Sequence, residues 1–373
     1  MANELASNRI VTLDVLRGLF IVIMAINHIP SPVHKLTSQP LGYVSAAEGF
    51  IFISGLLLGL ILRKRAESGR EATIKPYIRK RIAKIYCCHM ATVLFAFLFA
   101  GNLLGHIQPY QNLVHTFCKS PAKASIAAAF LLYQPPLMDI LPLYIIFLAI
   151  TPLALAIARK RGWKTVCSLS VGLWLMGQLG FRDTAIKLLK TVVLVDMGTF
   201  DLFSWQLIWI LALAIGQNYN ETWFNTKAAK GVFLFCVCFC LLMFCFRWPW
   251  IPISLNMDQF WWTVSKWRLG PLRVLNFFAM VYILASFDLK QVFKSIIFRP
   301  FAIIGKNALA CFCAHLGFCI VFIGAIQYFS FDLWTVHFII ASQLLLLFIV
   351  GLIFDLCKSN QRQKLLASKA VSA

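Results

Sequence analysis

The sequence predicts an all-α, polytopic membrane protein of about ten transmembrane helices with both termini in the cytoplasm, and three observations predict it. First, 60% of the 373 residues are hydrophobic and 13% charged, with a mean hydropathy of +0.78. A chain that apolar cannot cover an ordinary soluble surface. Second, apolar runs near the length a helix needs to cross a bilayer recur along the chain, at 12–30, 45–62, 82–104, 137–157, 165–180, 204–219, 230–247, 273–288, 301–326 and 333–356. Third, the charge is unevenly divided. The loop from Arg63 to Lys84 holds nine Lys and Arg and belongs in the cytoplasm. On that topology 24 of the 35 basic residues lie inside and 10 outside, with Arg17 inside a span. The formal charge of +21 would point to nucleic acid in a soluble chain; here orientation accounts for most of it, and no nucleic-acid partner is expected.

The first run, RIVTLDVLRGLFIVIMAINHIP, carries Asp14, Arg17, Asn27 and His28 in an otherwise apolar stretch. It is too long and too interrupted for a signal-peptide core, no small-residue cleavage site follows, and it is expected to stay as a span. Arg17 and His28 are eleven residues apart, about 20° from a whole number of turns, so they share one helix face about 16 Å apart along the axis. His28 then lies near the external face and Arg17 nearer the cytoplasm. Asp14, three residues before Arg17, is placed as its structural counter-ion.

The second run opens with Ser45 and Glu48, one helical turn apart, entering from the external side at about the depth of His28. The third begins beside the basic cluster Arg79, Lys80, Arg81 and Lys84. Between the third and fourth, Ala124 to Leu132 reads as a surface or re-entrant helix before the Pro135-Pro136 break. The runs at 165–180 and 204–219 are short, and Phe181 to Phe203 between them reads as an external amphipathic segment. Trp248, Trp250, Trp261, Trp262 and Trp267 fall in one external loop, as an interfacial belt or as stacking surfaces for sugar rings. His315 lies in an apolar run with Cys311 and Cys313, where it either lines a tunnel or is a core histidine bonded to a carbonyl.

The twelve cysteines are scattered mostly through apolar runs and give no disulfide framework. Cys87, Cys88 and His89 point about 100° apart on a helix and have no second ligand pair at zinc spacing, so no metal site is expected. No internal repeat and no soluble domain interrupts the chain, and residues 1–373 read as a single integral-membrane domain.

The strings TLDVLRG, NHIP and SAAEGFIFISG resemble the amino-terminal signature of the OpgC family, membrane succinyltransferases of osmoregulated periplasmic glucans. The wider membrane acyltransferase superfamily shares an Arg, ten residues, then a His in its first helix, which Arg17 and His28 match. The likeness continues through LYQPPLMDILPLY (Leu132 to Tyr144), SWQL (Ser204 to Leu207), KWRLGPLRVL (Lys266 to Leu275) and GKNAL (Gly305 to Leu309). Family members usually carry Asp at the position of Ser45, and two arginines where this chain has Arg81 and Lys84.

The resemblance implies transfer of an acyl group, succinyl, from cytoplasmic acyl-CoA to a periplasmic or externally presented glycan, in a bacterial inner membrane. Attack of a sugar hydroxyl on a thioester needs a base, and an imidazole with an unperturbed pKa near 6.5 suits it; His28 is the candidate. Glu48 is the nearest acid to orient it, and Arg17 is placed to bind the donor's phosphates or carbonyl. Arg79, Arg81 and Lys84 would suit the phosphates of coenzyme A, although positive-inside orientation alone explains that cluster. Asp139, Tyr144, Trp205 and Gln206 are acceptor contacts through the resemblance alone. No permanently bound cofactor is implied; the partners are membrane lipid, acyl-CoA and a glycan. The rival reading is a transporter or flippase of a glycan or lipid, since a polar tunnel through a helical bundle serves translocation as readily.

Overall fold

A computed structural model describes residues 2–218, 227–248 and 257–371. It is all-helical, with 81% helix; among the described residues β pairing is limited to an isolated bridge between Tyr133 and Asp196. Eleven helices carry the argument: α1 (Ala2–His28), α2 (Ala46–Glu67), α3 (Ile74–Ala96), α4 (Ile140–Gln178), α5 (Phe181–Lys190), α6 (Leu202–Asn218), α7 (Lys227–Arg247), α8 (Pro271–Ala285), α9 (Arg299–Lys306), α10 (Ala308–Phe329) and α11 (Leu333–Val371). Among the described residues, seven helical stretches are long and apolar enough to cross a membrane: Val11–His28, Ala46–Glu67, Glu71–Leu103, Ile140–Gln178, Lys230–Arg247, Ala308–Phe329 and Leu333–Gln361. The chain is thus a multi-pass membrane protein.

The difference from ten runs has physical causes. The runs at 137–157 and 165–180 form one 39-residue element, broken at Gly162, whose φ of 82° and ψ of 162° no helix tolerates. That glycine follows Arg159, Lys160 and Arg161, where a turn in water is favourable. The runs at 204–219 and 273–288 are the short apolar helices α6 and α8. The run at 301–326 is divided at Asn307, where α9 ends and α10 begins. The segment before Pro135-Pro136 is a helix, Pro121–Ala129, ended by Leu131 in the left-handed region. Tyr86 Oη donates to the terminal Ala129 carbonyl at 2.8 Å. Trp250 lies outside the described residues.

The chain folds as two compact units, residues 1–37 with 289–373, and residues 38–288. In the first, α1 packs on α9, α10 and α11. Gly18 and Gly305 make this possible. A Cβ on Gly18 would overlap the Phe301 carbonyl oxygen, and one on Gly305 would overlap that of Asp14. Small residues let two membrane helices approach backbone to backbone, where dispersion replaces the absent hydrophobic drive. Asn307 secures the break after α9, donating from Nδ2 to Ile303 O at 3.1 Å and Gly351 O at 3.0 Å and accepting from Lys358 Nζ at 2.6 Å. Lys306 pairs with Asp355 at 2.5 Å, which ties α9 to α11.

Gly18→Ala is therefore expected to cost about 1–3 kcal/mol by overpacking and to lower the melting temperature of the purified protein. An unchanged melting curve would contradict the backbone contact.

In the second unit α2 packs on α6, and α6 on α4. Here too a glycine pair sets the distance, with Gly59 of α2 facing the Gly216 backbone of α6. α3 packs on α4, and α7 on α8. α5 falls within the stretch expected to be amphipathic and carries exposed Leu188 and Leu189. Its Arg182 donates to the Met197 carbonyl at 2.6 Å and also to that of Gly198, which folds the following loop back on the helix.

Candidate active site

The geometry of α1 follows from its sequence spacing. Arg17 and Asp14 pair at 3.6 Å, each side chain only 16% exposed. The Gly18–Gly305 contact fixes the register of α1 against α9. Gly18 lies beside Gly305, and ten residues further along each segment His28 lies beside His315. The two chain directions therefore run parallel here. His28 and His315 each follow their glycine by ten residues and arrive at one level.

His28 ends α1. The turn after it is held by Asn27, whose Oδ1 accepts from Thr37 Oγ1 at 2.5 Å and whose Nδ2 faces the Thr37 carbonyl at 3.4 Å. His28 Nδ1 meets His315 Nε2 at 2.8 Å, with the rings 4.9 Å apart and 20° from parallel. On its other edge, His315 Nδ1 lies 2.7 Å from Gln343 Nε2 and 3.4 Å from Cys319 Sγ. Gln343 Nε2 in turn reaches Cys319 Sγ at 3.3 Å. His315, Cys319 and Gln343 are fully buried, whereas His28 is half-buried. His315 is thus bonded to side chains rather than to a carbonyl.

His28, His315 and Cys319 offer three metal-ligating atoms within 4.8 Å of one another. They do not converge: His315 turns one nitrogen to His28 and the other to Cys319. A metal needs its donors aimed at one point, and this arrangement is that of a hydrogen-bonded chain.

The second unit holds the other acid and most of the remaining site residues. Glu48 is the third residue of α2, and its Oε2 accepts from Ser45 N at 3.1 Å and from Ser45 Oγ, closing a capping box. Glu48 Oε1 lies 3.0 Å from Arg273 Nε, both side chains wholly buried. The guanidinium also donates to Gln39 Oε1 from both terminal nitrogens, at 3.0 and 3.1 Å, and to the Tyr43 carbonyl. Asn276, one turn along α8, accepts from Tyr43 N at 2.9 Å. Both Glu48 oxygens are therefore engaged within this unit.

Arg273 was missed in the sequence reading. An arginine three residues into an apolar helix, with Asn276 three further on, is the same signal that singled out Arg17. Gln343, the polar residue before the run LLLLFIV, is a second such signal.

Arg81 and Tyr144, expected at opposite mouths of a tunnel, touch. Arg81 Nη2 donates to Tyr144 Oη, Nη1 faces Tyr77 Oη at 3.3 Å, and the guanidinium lies 5.5 Å from the Tyr144 ring centre. The reason is the antiparallel packing of α3 and α4: Arg159 pairs with Glu71 at 3.3 Å, and further along both helices the long Arg81 side chain reaches Tyr144. Arg79 and Lys84, on the same helix, are exposed.

Asp139, before the first turn of α4, accepts at Oδ2 from Thr199 N at 3.2 Å and Thr199 Oγ1 at 3.1 Å. Burial raises its carboxyl pKa despite those bonds. Lys266 lies 5.0 Å from the Trp267 ring centre and 5.7 Å from that of Phe200, and burial lowers its ammonium pKa. Trp205 is wholly buried and donates its indole N–H to the Lys266 and Trp267 carbonyls, at 3.2 and 3.1 Å. Gln206 accepts from Ser170 Oγ at 2.7 Å and donates to the carbonyls of Ser170 and Phe203. Both side chains thus spend their polar atoms on the protein itself.

A protein-family model described as "OpgC protein" matches residues 9–359, nearly the whole chain. No curated protein and no solved structure matches.

Proposed function

Because the chain belongs to the OpgC family, we propose that it is an O-acyltransferase that moves a succinyl group from cytoplasmic acyl-CoA to a glycan presented on the opposite side of a bacterial inner membrane. The observation that carries this reading is the half-buried imidazole of His28, ending a membrane helix and hydrogen-bonded from behind by a second, buried imidazole. A neutral imidazole in that setting is a base with its own support, which a hydroxyl attacking a thioester requires.

The remaining roles belong to the same proposal. Ten crossings place both termini in the cytoplasm and Arg17 below His28 on one helix face, where its guanidinium meets the donor. Arg79 and Lys84 attract the donor's phosphates at the cytoplasmic side, and Arg81, held by Tyr77 and Tyr144, lies further in. Asp139 and Tyr144 contact the acceptor. Trp205 and Gln206 act on it indirectly: Trp205 holds the backbone that presents Lys266 and Trp267, and Gln206 ties α6 to α4. Both compact units serve this one activity.

The test is stoichiometric. Purified protein given succinyl-CoA and a glucan should release one free coenzyme A for each ester formed. Movement of glycan across a vesicle membrane with no coenzyme A released would replace the reading with transport.

A further inference from the structure

The chain from His28 through His315 to Gln343 ends in a carboxamide, and this ending controls the proton positions along it. A neutral imidazole donates from one nitrogen and accepts at the other. With Gln343 Nε2 facing His315 Nδ1 at 2.7 Å, Nδ1 accepts, so His315 Nε2 donates to His28 Nδ1. The proton of His28 then sits on Nε2, which has no lone pair left to receive another.

Turned over about its terminal torsion, the carboxamide fills the same volume and places Oε1 at His315 Nδ1. Each proton moves to the other nitrogen of its ring. His315 Nδ1–H donates to Oε1, His28 Nδ1–H donates to His315 Nε2, and the lone pair of His28 lies on Nε2. Gln343 Oε1 is buried and receives no hydrogen bond among the described residues in the first orientation. In the second it accepts from His315 and lies against the Cys319 thiol. Each orientation leaves one end of the amide unbonded, which keeps the two close in energy.

We infer that Gln343 and His315 are positioning residues, the carboxamide oxygen of Gln343 acting through His315 to hold His28 as its Nδ1–H tautomer with Nε2 ready to accept a proton. This rests on the acyl-transfer reading above. In the reaction, the acceptor hydroxyl oxygen forms the ester bond to the acyl carbon, its proton passes to His28 Nε2, and the thioester carbon–sulfur bond breaks. The charge gained by His28 is shared with neutral His315 across the 2.8 Å hydrogen bond. The proton then leaves with the coenzyme A sulfur as the thiol, and no further reactant is needed. Among the described residues, the ionisable Cys319 thiol also touches His315, at 3.4 Å from Nδ1.

The test is ring-nitrogen NMR of the full chain in lipid nanodiscs, labelled with ¹⁵N-histidine, with the His28 signals identified by their loss in His28→Asn. The wild type should show His28 protonated at Nδ1. In Gln343→Leu the His28 proton should shift to Nε2, kcat should fall about 10- to 100-fold and KM should hold. If that variant does not accumulate, Gln343→Met, which keeps the unbranched length, gives the same reading. His315→Gln, which keeps an amide oxygen near the place of Nε2, should retain more activity than His315→Leu. A wild-type His28 protonated at Nε2, or a Gln343→Leu protein with unchanged tautomer and kcat, would overturn the inference. Absence of coenzyme A release by the wild type would instead remove the acyl-transfer reading, while the tautomer spectrum still decides the hydrogen-bond assignment.

Discussion

His28→Ala is expected to lower acyl transfer by about 10²- to 10⁴-fold, the usual contribution of a general base, while the protein still inserts and purifies. The fold should survive because the contact that holds α1 to α9 lies at Gly18 and Gly305, ten residues away, and His28 is half-buried rather than central to a core. What the substitution costs in stability is the hydrogen bond to His315, whose buried nitrogen is left without a partner, about 1–3 kcal/mol. Initial rates of coenzyme A release should therefore collapse at a modestly lowered melting temperature. Retention of more than about a tenth of the wild-type rate would take the base role away from His28.

Glu48→Ala should fail in a different way, by loss of the folded protein. It strips the partner from Arg273, whose side chain is wholly buried, and an unpaired charge in such a place costs about 3–5 kcal/mol. Gln39 and the Tyr43 carbonyl remain as acceptors but carry no charge to balance the guanidinium. Replacing the pair together, as Glu48→Leu with Arg273→Met, removes both charges at once and is expected to recover most of the stability. The double variant also separates two roles for Glu48. If Glu48 balances Arg273, the folded double variant keeps a kcat within about tenfold of wild type. If Glu48 orients His28, the same folded protein loses turnover with little change in KM.

The membrane class was legible because twenty-residue apolar runs and the distribution of Lys and Arg are one-dimensional signals. Single polar residues in such runs were legible as well: Asp14 with Arg17, and His28, stood out against their neighbours. Gly162 and Asn307 show where this reading stops, since the runs beside them look continuous in hydropathy while the backbone breaks. Pairing was the part the sequence hid. Glu48 meets Arg273 across 225 positions and His28 meets His315 across 287, and neither distance can be read from local period or spacing. Arg81 and Tyr144 were set at opposite ends because a linear topology counts depth from the ends of apolar runs. The helix of Arg81 begins well before its run, so its register against α4 lay outside that count.

The central claim is that this chain esterifies a glycan and that His28 is the base. Mass spectrometry of the surface and periplasmic glycans tests it most directly, in cells carrying the wild-type chain, the His28→Ala chain or no copy of the gene. The account predicts a glycan mass raised by one or more succinyl groups with the wild type, and the unmodified mass in the other two, with His28→Ala present in the membrane at normal level. An identical glycan mass in all three would contradict it.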